Sequence, residues 1–161
     1  MAEMGYNGVT ARLKRLSDAF LYQTKDFYTE QEAGIEPNWH MIFLLLEKHG
    51  QLTVTELARH LGLSHPALVK LTKKMKRKGY LKSEEDPDDR RKYQLLLSDK
   101  AKAELPVLHT YWAAGERALA ELMNHSNHLL EQLTIVEQKL AASDFRERMT
   151  NELEAGPPPS A

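Results

Sequence analysis

Apolar residues recur at helical spacing over residues 9–31, where Val9, Leu13, Leu16, Phe20 and Phe27 are separated by polar positions. That period predicts one long amphipathic helix. Residues 33–37, with Gly34 and Pro37, break it. Asn38 is placed to cap a second helix reaching about His49, with Trp39, Ile42, Phe43, Leu45 and Leu46, and Gly50 stops it. Thr53-Val54-Thr55-Glu56 fits a capping box, in which the Thr53 hydroxyl accepts from the Glu56 backbone and the Glu56 carboxylate reaches back. The helix it opens carries Leu57, Ala58 and Leu61. Gly62-Leu63 makes a short turn, and Ser64 caps the next helix, whose first turn tolerates Pro66. That helix buries Leu68, Leu71 and Met75 and runs to about Lys78, where Gly79 ends it.

Residues 80–83 and 92–97 predict two strands around a charged loop, residues 84–91, which contains Pro87. This is a β-hairpin with a long tip. Ser98 caps a helix from about Asp99 with Leu105, Leu108, Trp112 and Leu119 on one face and Pro106 as a point of kinking. A last helix is predicted over about residues 127–153, carrying Leu129, Leu130, Leu133, Val136 and Leu140. The Gly/Pro/Ser-rich tail, residues 155–161, is expected to be disordered. The order predicts a mainly α fold with a small β-hairpin wing, a winged helix-turn-helix. We expect a single domain over residues 1–161, with residues 37–98 as the winged core. The terminal helices, residues 9–31 and 104–153, carry wider apolar faces than one small module can cover, which points to dimerisation through them.

The composition, 42% hydrophobic and 28% charged over 161 residues, is that of a soluble globular chain. No apolar run approaches the roughly 20 residues needed to span a membrane. The first five residues lack a basic region followed by an apolar stretch, so the expectation is a cytoplasmic protein without a signal peptide and without a membrane partner. The absence of cysteine excludes disulfides, thiolate zinc sites, iron–sulfur clusters and cysteine-based redox sensing. Net charge is −1, but its distribution is uneven. Between positions 70 and 92, ten cations stand against five anions, which leaves +5 there and −6 elsewhere. A local basic block on an acidic chain aims one face at a polyanion, although a lysine-rich helix face is also commonly just solvated.

A helix-turn-helix works because its first helix buttresses the second, which fits a major groove about 12 Å wide. Leu57, Leu61 and Leu68 would pack the pair and leave Ser64, His65, Ala67, Lys70, Lys73 and Lys74 facing outward. Ser64, His65 and Ala67, with Pro66 between them, lie at the helix N-terminus, the end that meets base edges. Lys70, Lys73 and Lys74 are placed for phosphates, and so for affinity more than specificity. Thr53 and Thr55, at the start of the preceding helix, join the candidate DNA-contacting set. On the hairpin tip, Arg90 and Arg91 can enter the adjacent minor groove, with Asp89 holding an arginine through a bidentate pair. A solvated turn with offsetting charges is the alternative reading of that tip.

These residues carry a resemblance. Residues 52–98 resemble the DNA-binding core of the MarR (multiple antibiotic resistance regulator) family. The matching stretches are Leu52-Thr53-Val54-Thr55-Glu56-Leu57-Ala58, Leu61-Gly62-Leu63-Ser64-His65-Pro66-Ala67, Lys78-Gly79-Tyr80-Leu81 and, most telling, Asp86-Pro87-Asp88-Asp89-Arg90-Arg91 followed by Leu95, Leu97 and Ser98. Ser98-Asp99-Lys100-Ala101 stands where many relatives have Thr-x-x-Gly. The resemblance implies a homodimer whose terminal helices interlock and whose modules each read one half-site of a pseudo-palindromic operator in double-stranded DNA, as a repressor-type regulator of transcription. It also implies a small-molecule effector, and Tyr22, Trp39, His40, Phe43 and Trp112 are the lining candidates. A mix of aromatic and polar groups suits an apolar organic ligand such as a phenolic acid, and ordinary core and dimer packing is the other reading of the same residues.

Two alternatives belong beside this one. His125 and His128, with Glu121 one turn away, would give a zinc-responsive regulator if they shared a helix face, although residues 124–128 read equally well as a polar connection. A winged helix can also serve protein interaction without DNA. No enzyme is expected, and no cofactor: the chain has no Gly-rich phosphate loop, nucleophile elbow or His-Glu-x-x-His motif.

Overall fold

A single amphipathic period carries the first helix, α1 (Val9–Glu30), onward from a 3-10 segment at Ala2–Gly8. The computed structural model describes residues 2–85 and 93–156. After α1, a 3-10 turn at Pro37–Trp39 leads into α2 (His40–His49). Asn38 does not cap this helix as expected. It lies inside the 3-10 turn, because Pro37 already holds the backbone in a helical φ, and Glu36 precedes the turn without a side-chain cap. Gly50 ends α2.

A three-residue strand, β1 (Gln51–Thr53), follows and was not anticipated, since three residues carry no readable alternation. Its last residue is also the cap of α3 (Val54–Leu61). Gly62 turns the chain at φ 62°, a left-handed conformation that suits glycine, and Leu63 N–H returns to the Ala58 carbonyl. Ser64 then opens α4 (His65–Arg77), which closes at Lys78 and a second left-handed glycine, Gly79 at φ 81°.

The hairpin strands are β2 (Leu81–Glu85) and β3 (Tyr93–Leu97), each within a residue or two of the expected ends. All three strands are antiparallel in the order β1-β3-β2, with Leu52 opposite Leu95 and Leu81 opposite Leu97. These four leucines face the core, whereas β2 beyond Leu81 is exposed. The pairing therefore pins the base of the wing to the helices.

Ser98 caps α5 (Asp99–Leu122) by accepting from Ala101 N–H at 3.1 Å, and its hydroxyl donates to the Gly79 carbonyl at 2.6 Å. α5 runs as one helix through Pro106. The expected last helix is two, α6 (His128–Ala142) and α7 (Phe145–Ala155). Ser143 is extended, and Asp144 caps α7 by accepting from Glu147 N–H at 2.8 Å. Arg148 fills the gap, donating to the Lys139 and Ser143 carbonyls at the end of α6. Within the expected disordered tail, Ala155 closes α7, and residues 157–161 lie outside the described residues.

The chain divides into two compact units, residues 1–109 and 110–161, with α5 continuing from one to the other. The first unit holds a core of Trp39, Ile42, Phe43, Leu46, Leu57, Leu68, Met75, Tyr80, Leu95 and Leu108, all essentially fully buried. Along α1, Val9, Leu13, Leu16 and Phe20 each keep between 41% and 45% of their surface, so that stripe is uncovered within the chain. In the second unit, no described residue of α6 or α7 is buried, and Leu129, Leu130, Val136 and Leu140 are all exposed.

Candidate nucleic-acid interface

The start of α3 is fully committed to its cap. Thr53 N–H and the Thr53 hydroxyl both donate to Glu56 Oε2 at 2.8 Å, and Glu56 N–H donates to Thr53 Oγ1 at 3.2 Å. Those bonds, the backbone one foremost, hold the Glu56 carboxyl below its ordinary range. Thr53 is half-buried in this arrangement, and Thr55 is exposed beside it. The helix presents Leu57 and Ala58 inward to meet Leu68, Thr72 and Met75 of α4 in the core. Thr72 was missed as a core position. Its hydroxyl donates to the Leu68 carbonyl one turn back at 2.9 Å, which lets a polar side chain be buried there.

With that side fixed, helical geometry sets the other. At about 3.6 residues per turn, Pro66, Lys70, Lys73 and Arg77 stand directly opposite Leu68, Thr72 and Met75. All four are exposed. Ser64, His65 and Ala67 are exposed as well, with Ser64 Oγ accepting the Ala67 N–H at 3.4 Å. The open first turn offers its helix-terminal N–H groups and partial positive charge, while the line of cations extends along the helix behind it. Arg77, on the same line, was read only as part of the basic block; its i+7 spacing from Lys70 was the signal that assigns it to this face.

Lys74 is different. It lies on the flank shared with Ala67 and Leu71, and its ammonium pairs with Glu36 Oε1 at 2.8 Å. On the hairpin, Lys82 approaches Asp99 at 3.9 Å. Asp89, Arg90 and Arg91 lie outside the described residues.

The basic helix ends on a buried support that the sequence did not flag. Tyr80, 1% exposed, directly follows the Gly79 turn. Its ring meets Trp39 and Phe43 edge-on at 5.7 and 5.6 Å, Lys100 Nζ sits 4.2 Å above it, and its hydroxyl donates to Glu104 Oε2 at 2.9 Å. Burial, and then the Glu104 carboxylate, push the phenol well above its ordinary pKa, so it acts as a donor throughout the physiological range. This cluster ties the end of α4 to α2 and α5.

The residues proposed to line a ligand site divide. Trp39 and Phe43 are fully buried, His40 is half-buried, and Tyr22 is 68% exposed. Trp112 is buried and belongs to the second unit. Trp39 Nε1 is buried without a hydrogen-bond acceptor. Burial, and then the neighbouring His109, lower the pKa of His40, while His109 itself pairs with Glu47 at 2.9 Å. His125 and His128 do not share a helix face. Asn124 and His125 adopt left-handed φ values of 50° and 55° between α5 and α6, and Ser126 Oγ accepts from His128 N–H at 3.3 Å. Among the described residues, no three His, Cys, Asp or Glu side chains are grouped to hold a metal.

Residues 33–92 match the model of the MarR family. Over that stretch the winged helix is similar to the MarR family. The match starts just before Gly34 and takes in α2, β1, α3, α4 and β2, so the cationic line and the Trp39, Phe43 and Tyr80 rings lie inside the matched region, while Lys100 and Glu104 lie beyond it. Among solved structures, the chain is similar to a MarR/EmrR family transcriptional regulator from Acinetobacter sp. ADP1, at 24% identity over 84% of this chain and 94% of that one, with a TM-score of 0.67. It is similar to S. aureus MepR in its DNA complex, at 17% identity over 84% and 96%, with a TM-score of 0.68. It is also similar to reduced AbfR bound to DNA, at 19% identity over 84% and 94%, with a TM-score of 0.67. At these identities the likeness establishes the fold. No curated protein matched the sequence.

Proposed function

We propose that this chain is a cytoplasmic, non-enzymatic regulator of transcription that binds double-stranded DNA as a homodimer. The observation that carries the reading is the exposed line of Lys70, Lys73 and Arg77 on a helix whose opposite side is locked in the core and whose first turn, Ser64 to Ala67, is open. Such a helix fits a major groove, with its N-terminus toward base edges and its cations toward phosphates. MepR and AbfR have been solved with DNA bound, which supports the same partner here. The wing, through Asp89, Arg90 and Arg91, supplies the second contact in this reading. The uncovered apolar stripe of α1, and separately the exposed leucines of α6, favour a second copy as the covering surface. Two modules in a dimer would stand about one helical turn apart, roughly 34–36 Å, and read a pseudo-palindrome.

A small organic effector completes the proposal. Trp39 Nε1 is the unmatched donor that an acceptor-bearing ligand would meet, next to half-buried His40. With Trp39 and Trp112 as the only tryptophans, a fluorescence titration against phenolic acids reads both positions. The main experiment is selection of purified protein on a random-sequence DNA pool at about 50 and 200 mM salt. Recovery of a pseudo-palindrome with half-sites roughly 10 base pairs apart is expected. Absence of retention at the lower salt, with and without the titrated ligands, rejects DNA binding.

A further inference from the structure

At one point along the flank of the cationic line on α4, a carboxylate intervenes. Lys74 Nζ lies 2.8 Å from Glu36 Oε1, in a pair whose side chains keep 40% and 27% of their exposure. Among the described residues, Lys70, Lys73, Lys76 and Arg77 have no such partner. Glu36 comes from 38 residues earlier in the chain, and its backbone is anchored on both sides, by Ile35 at 5% exposure and by Trp39 at 0%. Its carboxylate is therefore held at the edge of the helix. An ion pair this open to water adds little stability, and α4 is already fixed by Leu68, Thr72 and Met75. A strap is not needed there; a charge placed there has another effect.

We propose that Glu36 is an intramolecular competitor for DNA phosphate at Lys74, and so limits the affinity and salt sensitivity of binding. This rests on the DNA-binding reading above. A carboxylate and a phosphate oxygen make the same charge-assisted bond to an ammonium. The three donors of Lys74 do not bar a second acceptor, but Glu36 cancels the charge a phosphate would meet and repels that phosphate as it arrives. In the parent protein, Lys70 and Lys73 displace counterions from DNA in full, whereas Lys74 does so only weakly.

The test measures binding of the full-length parent, Glu36→Gln, Lys74→Ala and the double variant to a mixed-sequence DNA duplex between about 50 and 200 mM salt. Glu36→Gln is isosteric, and thermal unfolding checks that each variant is folded. Freeing one lysine steepens the slope of log affinity against log salt by about 0.9, so the gain of Glu36→Gln should be about 3.5-fold larger at the lower salt than at the higher. Lys74→Ala should leave the parent slope nearly unchanged, and the gain from Glu36→Gln should shrink to the small part due to direct repulsion of phosphate in the Lys74→Ala background. A parent slope in Glu36→Gln overturns the proposal, as does weaker binding. A gain of undiminished size without Lys74 also overturns it, since that is only removal of a repulsive charge. If the parent binds no DNA at either salt, the DNA-binding reading fails first and the competitor role falls with it.

Discussion

Replacing Gly34 by alanine tests the buried support of α4, and the sign of its effect is set by one atom. A Cβ built on Gly34 falls 2.8 Å from the Tyr80 hydroxyl oxygen and 3.8 Å from the ring carbon that bears it. The first distance is a clash; the second is ordinary contact. The phenol cannot easily swing away, because Trp39 and Phe43 flank its ring, Lys100 covers it and Glu104 holds the hydroxyl. Gly34→Ala should therefore destabilise by about 1–3 kcal/mol, as overpacking does. In a Tyr80→Phe background the oxygen is gone. The backbone of Gly34 is not in the left-handed region, so the same alanine should then stabilise by about 0.4–1 kcal/mol through the unfolded chain. A double-mutant cycle of urea midpoints, at one fixed protein concentration because association contributes to stability, reads the coupling. A penalty of equal size in both backgrounds, or no penalty in the parent, would refute the argument that the Tyr80 hydroxyl is pinned.

Three further outcomes are expected. Lys73→Ala, on the exposed line of α4, should weaken binding to all DNA sequences alike and reduce the salt slope by about 1; a change in sequence preference would reassign it to base reading. Truncation after Thr134 removes Val136, Leu140 and α7 and should yield a monomeric or insoluble protein, so a stable dimer by sedimentation would place the dimer contacts elsewhere. For His40, burial favours the neutral ring, so the unfolded chain binds the proton more readily than the folded one. Stability due to His40 is then present above the ordinary value of 6.5 and is lost as pH falls below it. His40→Gln should flatten that part of the melting-temperature profile, and an unchanged profile would remove His40 as its source.

What the sequence determined by itself was local. Thr53 with Glu56, Ser64 with Ala67, and Ser98 with Ala101 are caps written within four residues, and Gly62 and Gly79 mark left-handed turns for steric reasons that need no distant partner. From these, the helix-turn-helix, the wing base and the outward row of lysines were all legible. Where local signals competed, the reading erred. The leucine period of residues 129–140 masked the Ser143-Asp144 break, and Asn38, expected as a cap, falls inside the 3-10 turn that Pro37 opens. Tertiary structure alone decided the rest. Period and composition mark Trp39, Phe43 and Tyr80 as apolar, but only packing makes Tyr80 the post on which the other two lean. The lysines of α4 look equivalent along the chain. The fold brings Glu36 to Lys74 and leaves Lys70 and Lys73 open, because charge acts through space and the approach of a carboxylate from 38 residues away leaves no mark in the local pattern.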